Sequence, residues 1–293
     1  MQLLDTDIQT REVLGWKGVH VFHAHLSSCS QKLRIFLNCK NITWQSHPID
    51  LGKVENLSPF YMGINPRGLV PCLVHDGEVH IESNDIIMHL ERAFPTPRLI
   101  PVGEEGNIAS LLKHEDDLHL DMRTVTFRFL FPPSPKPRMS SDVLTRYAST
   151  GSGTVLGKKD PYIAREIAYW ADFEAHGILD VAVQQSVRRL RAAFVEIDTT
   201  LASHLYIGGT DLSVLDIAWF VYVHRLTLSG YPLARLHASL HEWYQRLGML
   251  PQIAREVTIP TDLVGPIMAR QAALRASAQD LESICHLRPR TTP

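Results

Sequence analysis

The spacing of apolar positions divides the chain into a mixed first part and a helical second part. From residue 18, the β-rich run "VHVFHAH" precedes the helix-like segment "CSQKLRIFLNCKN" and a second strand-like run, "ITWQSHPID". Asp76-Gly77 then separates two alternating apolar runs, which is a strong hairpin signal, and Ser83 precedes the helix-like segment "NDIIMHLERAF". The order β-α-β followed by β-β-α predicts a small mixed sheet with helices on both faces.

Strand signals nearly vanish after the linker "PTPRLIPVGEEG". The pattern therefore predicts an α/β thioredoxin-like domain over residues 18–98 and an all-α domain over residues 105–262, with a short N-terminal extension, residues 1–17. Residues 107–131 are predicted to form one long helix. The Pro/Ser/Gly-rich residues 132–160 are predicted to be an insertion in the helical domain that is poorly suited to a packed core, and residues 263–293 an amphipathic helical tail.

One helix of the second part has a clear predicted start. Ser213 and Asp216 have the spacing of a capping box, and Leu212 and Ile217 are placed for a hydrophobic staple. The helix that follows, "VLDIAWFVYVHRLTL", is strongly apolar. We interpret this segment as a structural nucleus without a chemical role.

Composition narrows the function classes. The 293 residues are 45% apolar and 20% charged with a net charge of -2, which disfavours a nucleic-acid or membrane-surface binder because either needs a clustered basic face. No apolar run approaches the roughly 18 residues of a membrane span, and the start does not read as a secretory signal. The four cysteines form no CxxC pair, so a reduced, cytoplasmic protein is expected.

The fifteen histidines do not form an obvious metal motif. His114 and His119 are five residues apart, whereas two ligands on one helix face need a spacing of four. The sequence analysis therefore predicts no metal site.

Three local features together indicate a binding site. The stretch "HLSSCSQKLR" places Ser27, Ser28 and Cys29 where a strand turns into a helix. Unpaired N–H groups at a helix start favour an anion. A thiol held beside Ser27 would therefore have a lowered pKa, because its thiolate form is stabilised. Serine at such a turn is commonly only a helix cap, and a first-turn cysteine is often a packing residue; both alternatives stay open.

The other two features follow along the chain. Val70-Pro71, just before a predicted strand, is a candidate cis peptide whose Val70 backbone could pair with an extended peptide. Glu82-Ser83 begins the next predicted helix, where the hydroxyl and helix N–H groups suit a carboxylate and Glu82 suits an ammonium group. The three features describe a site for a small thiol peptide with an amino-acid head, and glutathione fits that description.

The motif set "SSCSQKLR … INPRGLVPCLV … IESNDIIMHLE … SVLDIAWF" resembles the cytosolic glutathione transferase superfamily over about residues 18–262. "SSCS" is similar to the zeta (maleylacetoacetate isomerase) signature. The spacing S-x-C-S-Q-K-x-R also resembles tetrachlorohydroquinone dehalogenases and ganglioside-induced differentiation-associated proteins. "NPRG-VP" with "DGEVHIES" resembles bacterial β-etherase-type transferases.

The resemblance implies residue roles. Ser27 would activate the glutathione thiol with Ser28 as its neighbour, and Cys29 matches the position used for thiol exchange or isomerisation. Val70, beside Pro71, would hold the cysteinyl backbone, and Glu82 with Ser83 the γ-glutamyl head. Leu69 departs from the pattern, because many relatives carry Lys or Gln there to bind the glycine carboxylate. Lys53 or Arg67 would then take that role, or that end of the ligand would be held more loosely.

The activity implied is attack of a glutathione thiolate on a small hydrophobic or aromatic electrophile by conjugation, substitution or ether cleavage. A homodimer acting in detoxification or aromatic compound catabolism is expected. One alternative is a Cys29-dependent isomerase, reductive dehalogenase or thioltransferase that uses glutathione. Another is a non-catalytic glutathione-binding scaffold.

Overall fold

A computed structural model describes residues 1–131 and 139–288, which separate into two compact units. The first unit comprises Met1–Pro97 and Ser134–Gly177, and the second comprises Arg98–Pro133 and Ile178–Pro293. The first contains a small mixed sheet, and the second is helical. The predicted fold class, an α/β thioredoxin-like domain with an all-α domain, is confirmed.

The sheet of the first unit has four strands in the order β2-β1-β3-β4. The strands are β1 (Val19–His23), β2 (Gln45–Pro48), β3 (Cys72–His75) and β4 (Glu78–Ile81). β1 pairs in parallel with β2 and antiparallel with β3, which pairs antiparallel with β4. The parallel pair and the hairpin at Asp76-Gly77 agree with the sequence prediction. Asp76 and Gly77 have φ angles of 52° and 88°, the positive values that a tight two-residue hairpin needs.

Three helices accompany this sheet: α1 (Ser28–Cys39), α2 (Pro59–Met62) and α3 (Ser83–Ala93). The apolar positions at helical spacing are the buried ones, at 1% exposure or less: Leu33, Phe36 and Leu37 on α1, and Ile86, Ile87 and Leu90 on α3. Each such side chain contributes roughly 1.5–3 kcal/mol by leaving water. The local pattern therefore fixes which face of each helix packs on the core.

The N-terminal extension adds to the edge of the sheet. The Leu3 N–H donates to the Val79 carbonyl (2.8 Å), and the Ile81 N–H donates to the Met1 carbonyl (2.9 Å). These bonds pair the first residues of the chain with β4, which would otherwise present an open edge.

The region after residue 138 packs in the first unit. It forms α6 (Ser141–Ser149), the hairpin of β5 (Thr154–Val155) and β6 (Lys158–Lys159), and α7 (Tyr162–His176). Tyr147 is 2% exposed and packs in a cluster with Leu57 and Met62. The buried carboxylate of Asp7 accepts hydrogen bonds from the hydroxyl of Thr154 (2.8 Å) and the N–H of Gly157 (3.0 Å).

This arrangement differs from the expectation that residues 132–160 are a poorly packed insertion of the helical domain. Composition indicated a loop, but Tyr147 and the Asp7 contacts give residues 139–160 a buried anchor in the first unit. Residues 132–138 lie outside the described part of the chain.

The second unit contains the remaining helices: α4 (Glu105–Asp117), α5 (His119–Phe129), α8 (Asp180–Leu201), α9 (Val214–Leu228), α10 (Leu233–Leu236), α11 (Ala238–Gly248), α12 (Pro251–Val257), α13 (Thr261–Ala276) and α14 (Leu281–Ile284). α9 begins with the predicted capping box, and Asp216 is fully buried. α13 and α14 occupy most of the predicted helical tail, whose residues 289–293 are not described. None of the described helices is long and apolar enough to cross a membrane.

The prediction of one long helix over residues 107–131 is wrong. The structure has two helices, α4 and α5, separated at Leu118, where ψ is 4°. The Leu118 N–H donates a hydrogen bond to the carbonyl of Glu115, three residues earlier (3.1 Å). Asp121 on α5 is held by the Ser186 hydroxyl (2.8 Å) and the Arg189 Nε (2.8 Å) on α8. Packing of α5 against α8 therefore sets a helix direction that the periodicity alone does not encode.

Candidate functional site

Strand register brings the three predicted motifs to one end of the sheet. Phe22 in β1 is opposite Cys72 in β3, and Cys72 is opposite Ile81 in β4. The end of β1 that leads to Ser27, the start of β3 that follows Val70-Pro71, and the end of β4 that leads to Glu82-Ser83 are therefore neighbours. The three motifs therefore follow or precede adjacent strands at one end of the sheet.

Ser27 is the N-cap of α1. Its Oγ accepts a hydrogen bond from the Ser30 N–H (3.3 Å), and its own backbone is extended, with φ -70° and ψ 125°. Ser27, Ser28 and Cys29 are all half-buried. Because the Ser27 oxygen acts as acceptor in the cap, its O–H hydrogen remains available to donate to a ligand.

Further along α1, Ser30 and Arg34 hold the loop that precedes Ser27. The Ala24 N–H donates to Ser30 Oγ (3.3 Å), and the Arg34 guanidinium donates to the carbonyls of Ala24 (3.2 Å) and His25 (3.0 Å). Arg34 is only 3% exposed. Arg34 belongs to the motif "SSCSQKLR" but has no local signal of a role, and its contacts make it a positioning residue for Ser27.

α1 is also tied to α3 near the site. Lys32 Nζ donates to the Asn84 Oδ1 (2.7 Å), one residue after Ser83. This hydrogen bond fixes the starts of the two helices relative to each other.

The Val70–Pro71 peptide bond is cis, as expected. The loop before it is held by side chains: the Leu69 carbonyl accepts from Asn65 Nδ2 (2.8 Å) and from the Tyr61 hydroxyl, and the Gly68 carbonyl accepts from Asn56 Nδ2 (2.8 Å). Among the described residues, the backbone N–H and C=O of Val70 make no hydrogen bond. The backbone at Val70 is thus fixed in position and open to a peptide.

Glu82 and Ser83 mark the start of α3 in a different way from the prediction. Ser83 was expected to cap the helix, but it is the first helical residue, and Glu82 occupies the N-cap position with a φ of 67°. A left-handed backbone at a non-glycine residue is uncommon and needs surrounding contacts to persist. The Ser83 hydroxyl and the first N–H groups of α3 remain at the sheet end.

Arg67 supplies such a contact. Its Nη1 is 2.6 Å from the Glu82 Oε1, and its Nε is 2.5 Å from the Asp160 Oδ2. The Tyr162 ring faces the guanidinium, 5.0 Å from ring centre to Cζ. Burial lowers the pKa of Arg67, but the two carboxylates outweigh it and raise that pKa.

Sequence reasoning missed Asp160, because no local pattern connects it to Glu82. It lies 93 residues beyond Arg67 in a region that composition marked as a loop. Its side chain is 9% exposed.

The two candidates for the glycine carboxylate have different environments. Arg67 is engaged by two carboxylates. The Lys53 side chain is 76% exposed and lies 3.3 Å from Asp50. His23 pairs with Pro48, so the segment after β2 that carries Lys53 leaves from the same sheet end.

Burial raises the pKa of two of the other cysteine thiols. The pKa of Cys72 lies well above that of an exposed thiol, and the pKa of Cys285 rises to about 11. Cys29 is half-buried in the first turn of α1, whereas Cys72, which begins β3 at the same sheet end, is fully buried.

One group of possible metal donors was also missed. Glu78, His80 and His89 each place a donor atom within 4.8 Å of the others, although the sequence analysis expected no metal site. The helix spacing of four residues does not apply here, because Glu78 and His80 are two residues apart on β4 and meet His89 on α3. The "EVH" alternation was the available signal.

Comparison with protein families gives two matches. Residues 26–93 match the model of the glutathione S-transferase N-terminal domain, and residues 180–246 match the model of the glutathione S-transferase C-terminal domain.

Individual proteins agree with these matches. A maleylpyruvate isomerase from a Ralstonia species is 40% identical over 80 residues, 27% of this chain and 38% of the relative. A tetrachloro-p-hydroquinone reductive dehalogenase from Sphingobium chlorophenolicum is 24% identical over 78% of this chain and 91% of its own length. The first curated relatives are matched over only 33–38% of their own length.

Among solved structures, the β-etherase LigF from Sphingobium sp. strain SYK-6 superposes with a TM-score of 0.67. It is 21% identical and is covered over 98% of its length and 81% of this chain. This likeness supports the fold. The matches agree with the resemblance found in the motifs.

Proposed function

We propose that the chain, whose residues 26–93 and 180–246 match the N- and C-terminal domain models of the glutathione S-transferases, binds glutathione at the sheet end near Ser27 and activates the thiol. The observation that carries this proposal is the register of Phe22, Cys72 and Ile81, which makes Ser27, Val70 and Glu82-Ser83 neighbours. The thiolate then attacks a small hydrophobic or aromatic electrophile.

Thiol activation rests on Ser27 and the start of α1. The Ser27 hydroxyl donates to the thiolate, and the helix N-terminus contributes its partial positive charge. Each effect stabilises the thiolate by roughly 1 kcal/mol or more, so together they lower the glutathione thiol pKa by about one to two units. Arg34 and Ser30 support this by holding the loop before Ser27.

The rest of the ligand is held by backbone and charge. The cysteinyl residue of glutathione pairs with the N–H and C=O of Val70, next to Pro71, in the manner of an added strand. The α-carboxylate of the γ-glutamyl residue binds the Ser83 hydroxyl and the start of α3, and its ammonium group binds Glu82. Arg67 keeps the Glu82 carboxylate in place.

Lys53 is the better candidate for the glycine carboxylate. Arg67 already neutralises Glu82 and Asp160, whereas Lys53 is mostly exposed and pairs only loosely with Asp50. Lys53→Met should weaken glutathione binding a few-fold without changing the thiol pKa. Unchanged affinity in this variant would return the role to another group.

A Cys29-dependent reaction is the second candidate function. Cys29 is half-buried in the first turn of α1, and a relative covered over 91% of its length is a reductive dehalogenase. In this mechanism the Cys29 thiolate would attack the sulfur of a glutathionyl adduct, so that the carbon–sulfur bond breaks, the carbon takes up a proton and a mixed disulfide forms between Cys29 and glutathione. A second glutathione thiolate would then release Cys29 and form glutathione disulfide.

Two substitutions, at positions two residues apart, separate the candidates. Ser27→Ala should lower kcat for conjugation of a chloronitroaromatic electrophile by at least tenfold and raise the pKa of bound glutathione by about one unit, read from thiolate absorbance. Cys29→Ala should retain conjugation, and Ser110→Ala, at an exposed serine of α4, serves as the matched control. Survival of activity in Ser27→Ala with loss in Cys29→Ala would establish the second candidate instead.

We further propose a cytoplasmic homodimer that acts in detoxification or aromatic compound catabolism. Sedimentation of the purified chain measures its oligomeric state, and a panel of aryl halides, aryl ethers and unsaturated acids defines the substrate class. Tight glutathione binding with no turnover on the whole panel would indicate a binding scaffold.

A further inference from the structure

A cluster of imidazole and carboxylate groups lies on β4, the strand before Glu82, and on α3, the helix after it. Glu78 and His80 alternate on β4 and therefore point to the same face of the sheet. His89 meets them from α3, and the three donor atoms lie within 4.8 Å of one another. The cluster is separate from the residues proposed to bind glutathione.

His80 is the member that most needs a partner. It is 3% exposed, and its Nε2 has no hydrogen-bond partner among the described residues. The Glu78 Oε2 lies 3.5 Å from this nitrogen. A buried polar atom without a partner costs free energy, and such exceptions in a folded protein call for an explanation.

The two histidine rings of the cluster are in direct contact, and one of them is held by a third histidine. The His80 and His89 rings stack with centres 3.8 Å apart. His75 on β3 forms a hydrogen bond with His89, Nδ1 to Nε2 at 2.9 Å, which restricts how the His89 ring can turn. Metal-binding histidines commonly have such a partner on a second ring nitrogen.

Burial, followed by the charge of His89, lowers the pKa of His80 to about 3, and burial also lowers the pKa of His89. Neutral imidazole is the form of histidine that binds a metal. Glu78 supplies a negative charge from a side chain that is 53% exposed and able to move.

We propose that Glu78, His80 and His89 bind one Zn²⁺ ion that clamps the β3–β4 hairpin to α3. Zn²⁺ takes imidazole nitrogen and carboxylate oxygen at about 2.0–2.2 Å, which puts neighbouring donors roughly 3.3–3.5 Å apart. To reach that geometry, the exposed Glu78 side chain must adjust and the stacked His80 and His89 rings must turn apart so that each presents a ring nitrogen edge-on to the ion. With three protein donors, water completes the tetrahedron.

The clamp has a stabilising role, because it joins the strand before Glu82 to the helix after it. An ion that binds the folded chain stabilises it by mass action. At a hundredfold excess of free Zn²⁺ over the dissociation constant, the melting temperature should rise by roughly 5–10 °C.

The test uses the full chain stripped with a chelator and titrated with ZnCl₂ in a calorimeter. One equivalent should bind, and Co²⁺ should give the visible absorption of a four-coordinate site. Glu78→Gln, at an exposed position that should not affect folding, and His89→Gln should each weaken Zn²⁺ binding at least tenfold and remove the thermal shift.

His204→Gln, at an exposed histidine of the second unit, is the matched control and should bind Zn²⁺ as the parent chain does. The proposal is overturned if no equivalent binds, or if weak binding of several ions persists unchanged in Glu78→Gln and His89→Gln. The second result would show only adventitious binding to surface histidines.

Discussion

Substitution of Asp216 is predicted to lower the stability of the second unit strongly. Its carboxylate is fully buried and accepts four hydrogen bonds. Oδ1 accepts from the Ile207 N–H (2.9 Å) and the Trp243 Nε1 (2.9 Å), and Oδ2 accepts from the N–H (2.9 Å) and hydroxyl (2.8 Å) of Ser213. Burial raises the pKa of Asp216, and these hydrogen bonds oppose that shift.

Asp216→Ala leaves three buried N–H donors without their acceptor. Hydrogen bonds to a charged group contribute about 1.5–3 kcal/mol each, but their sum overstates the loss because the variant no longer buries a carboxylate. We expect the free energy of unfolding to fall by about 4 kcal/mol, which is large for one substitution. Asp216→Asn keeps one acceptor oxygen and turns an N–H₂ toward donors on the other side, so its cost should be about 2 kcal/mol.

Urea unfolding followed by tryptophan fluorescence measures both losses, since Trp243 itself donates to Asp216. Asp211→Ala, an exposed position five residues earlier, is the control and should change stability by less than about 0.5 kcal/mol. A loss below about 1 kcal/mol in Asp216→Ala would refute the reasoning that these hydrogen bonds hold the start of α9.

Two further predictions concern buried titratable side chains. Lys40→Met removes an ammonium group that is fully buried, 2.7 Å from the Glu91 Oε2, and should cost about 3–5 kcal/mol in urea unfolding. The double variant with Glu91→Gln should lose less than the single one; an equal or greater loss would contradict a role for charge pairing. His224 is buried against the Tyr244 hydroxyl (2.9 Å), and burial lowers its pKa to about 4. Its contribution to stability is complete above the unfolded value of about 6.5 and is lost as the pH falls toward 4, because the unfolded chain takes up the proton first. His224→Phe should therefore flatten the pH dependence of the melting temperature between pH 6.5 and 4, and an unchanged slope would rule out this histidine as its source.

Sequence alone predicted the features that depend on neighbouring residues. The buried faces of α1 and α3, the Asp76-Gly77 hairpin and the Ser213–Asp216 capping box follow from spacings of a few residues, and each is present in the structure. Periodicity, turn chemistry and capping are local, so one chain is sufficient to read them. The same local reasoning failed at Leu118, where packing on α8 ends one helix and starts another.

The candidate site was predictable in part for the same reason. Ser27, Val70 and Glu82 stand out as motifs, but their common location depends on the register of β1, β3 and β4. The role of Arg34 follows from its reach back to the carbonyls of Ala24 and His25.

Tertiary structure decided the contacts that join distant segments. Arg67 meets Asp160 across 93 residues, and Asp7 meets Thr154 across 147. His80 and His89 come together only because a strand and a helix pack with their polar positions facing. A charge or a ring nitrogen has no periodic signature, so its partner is determined by the fold and not by its place in the chain.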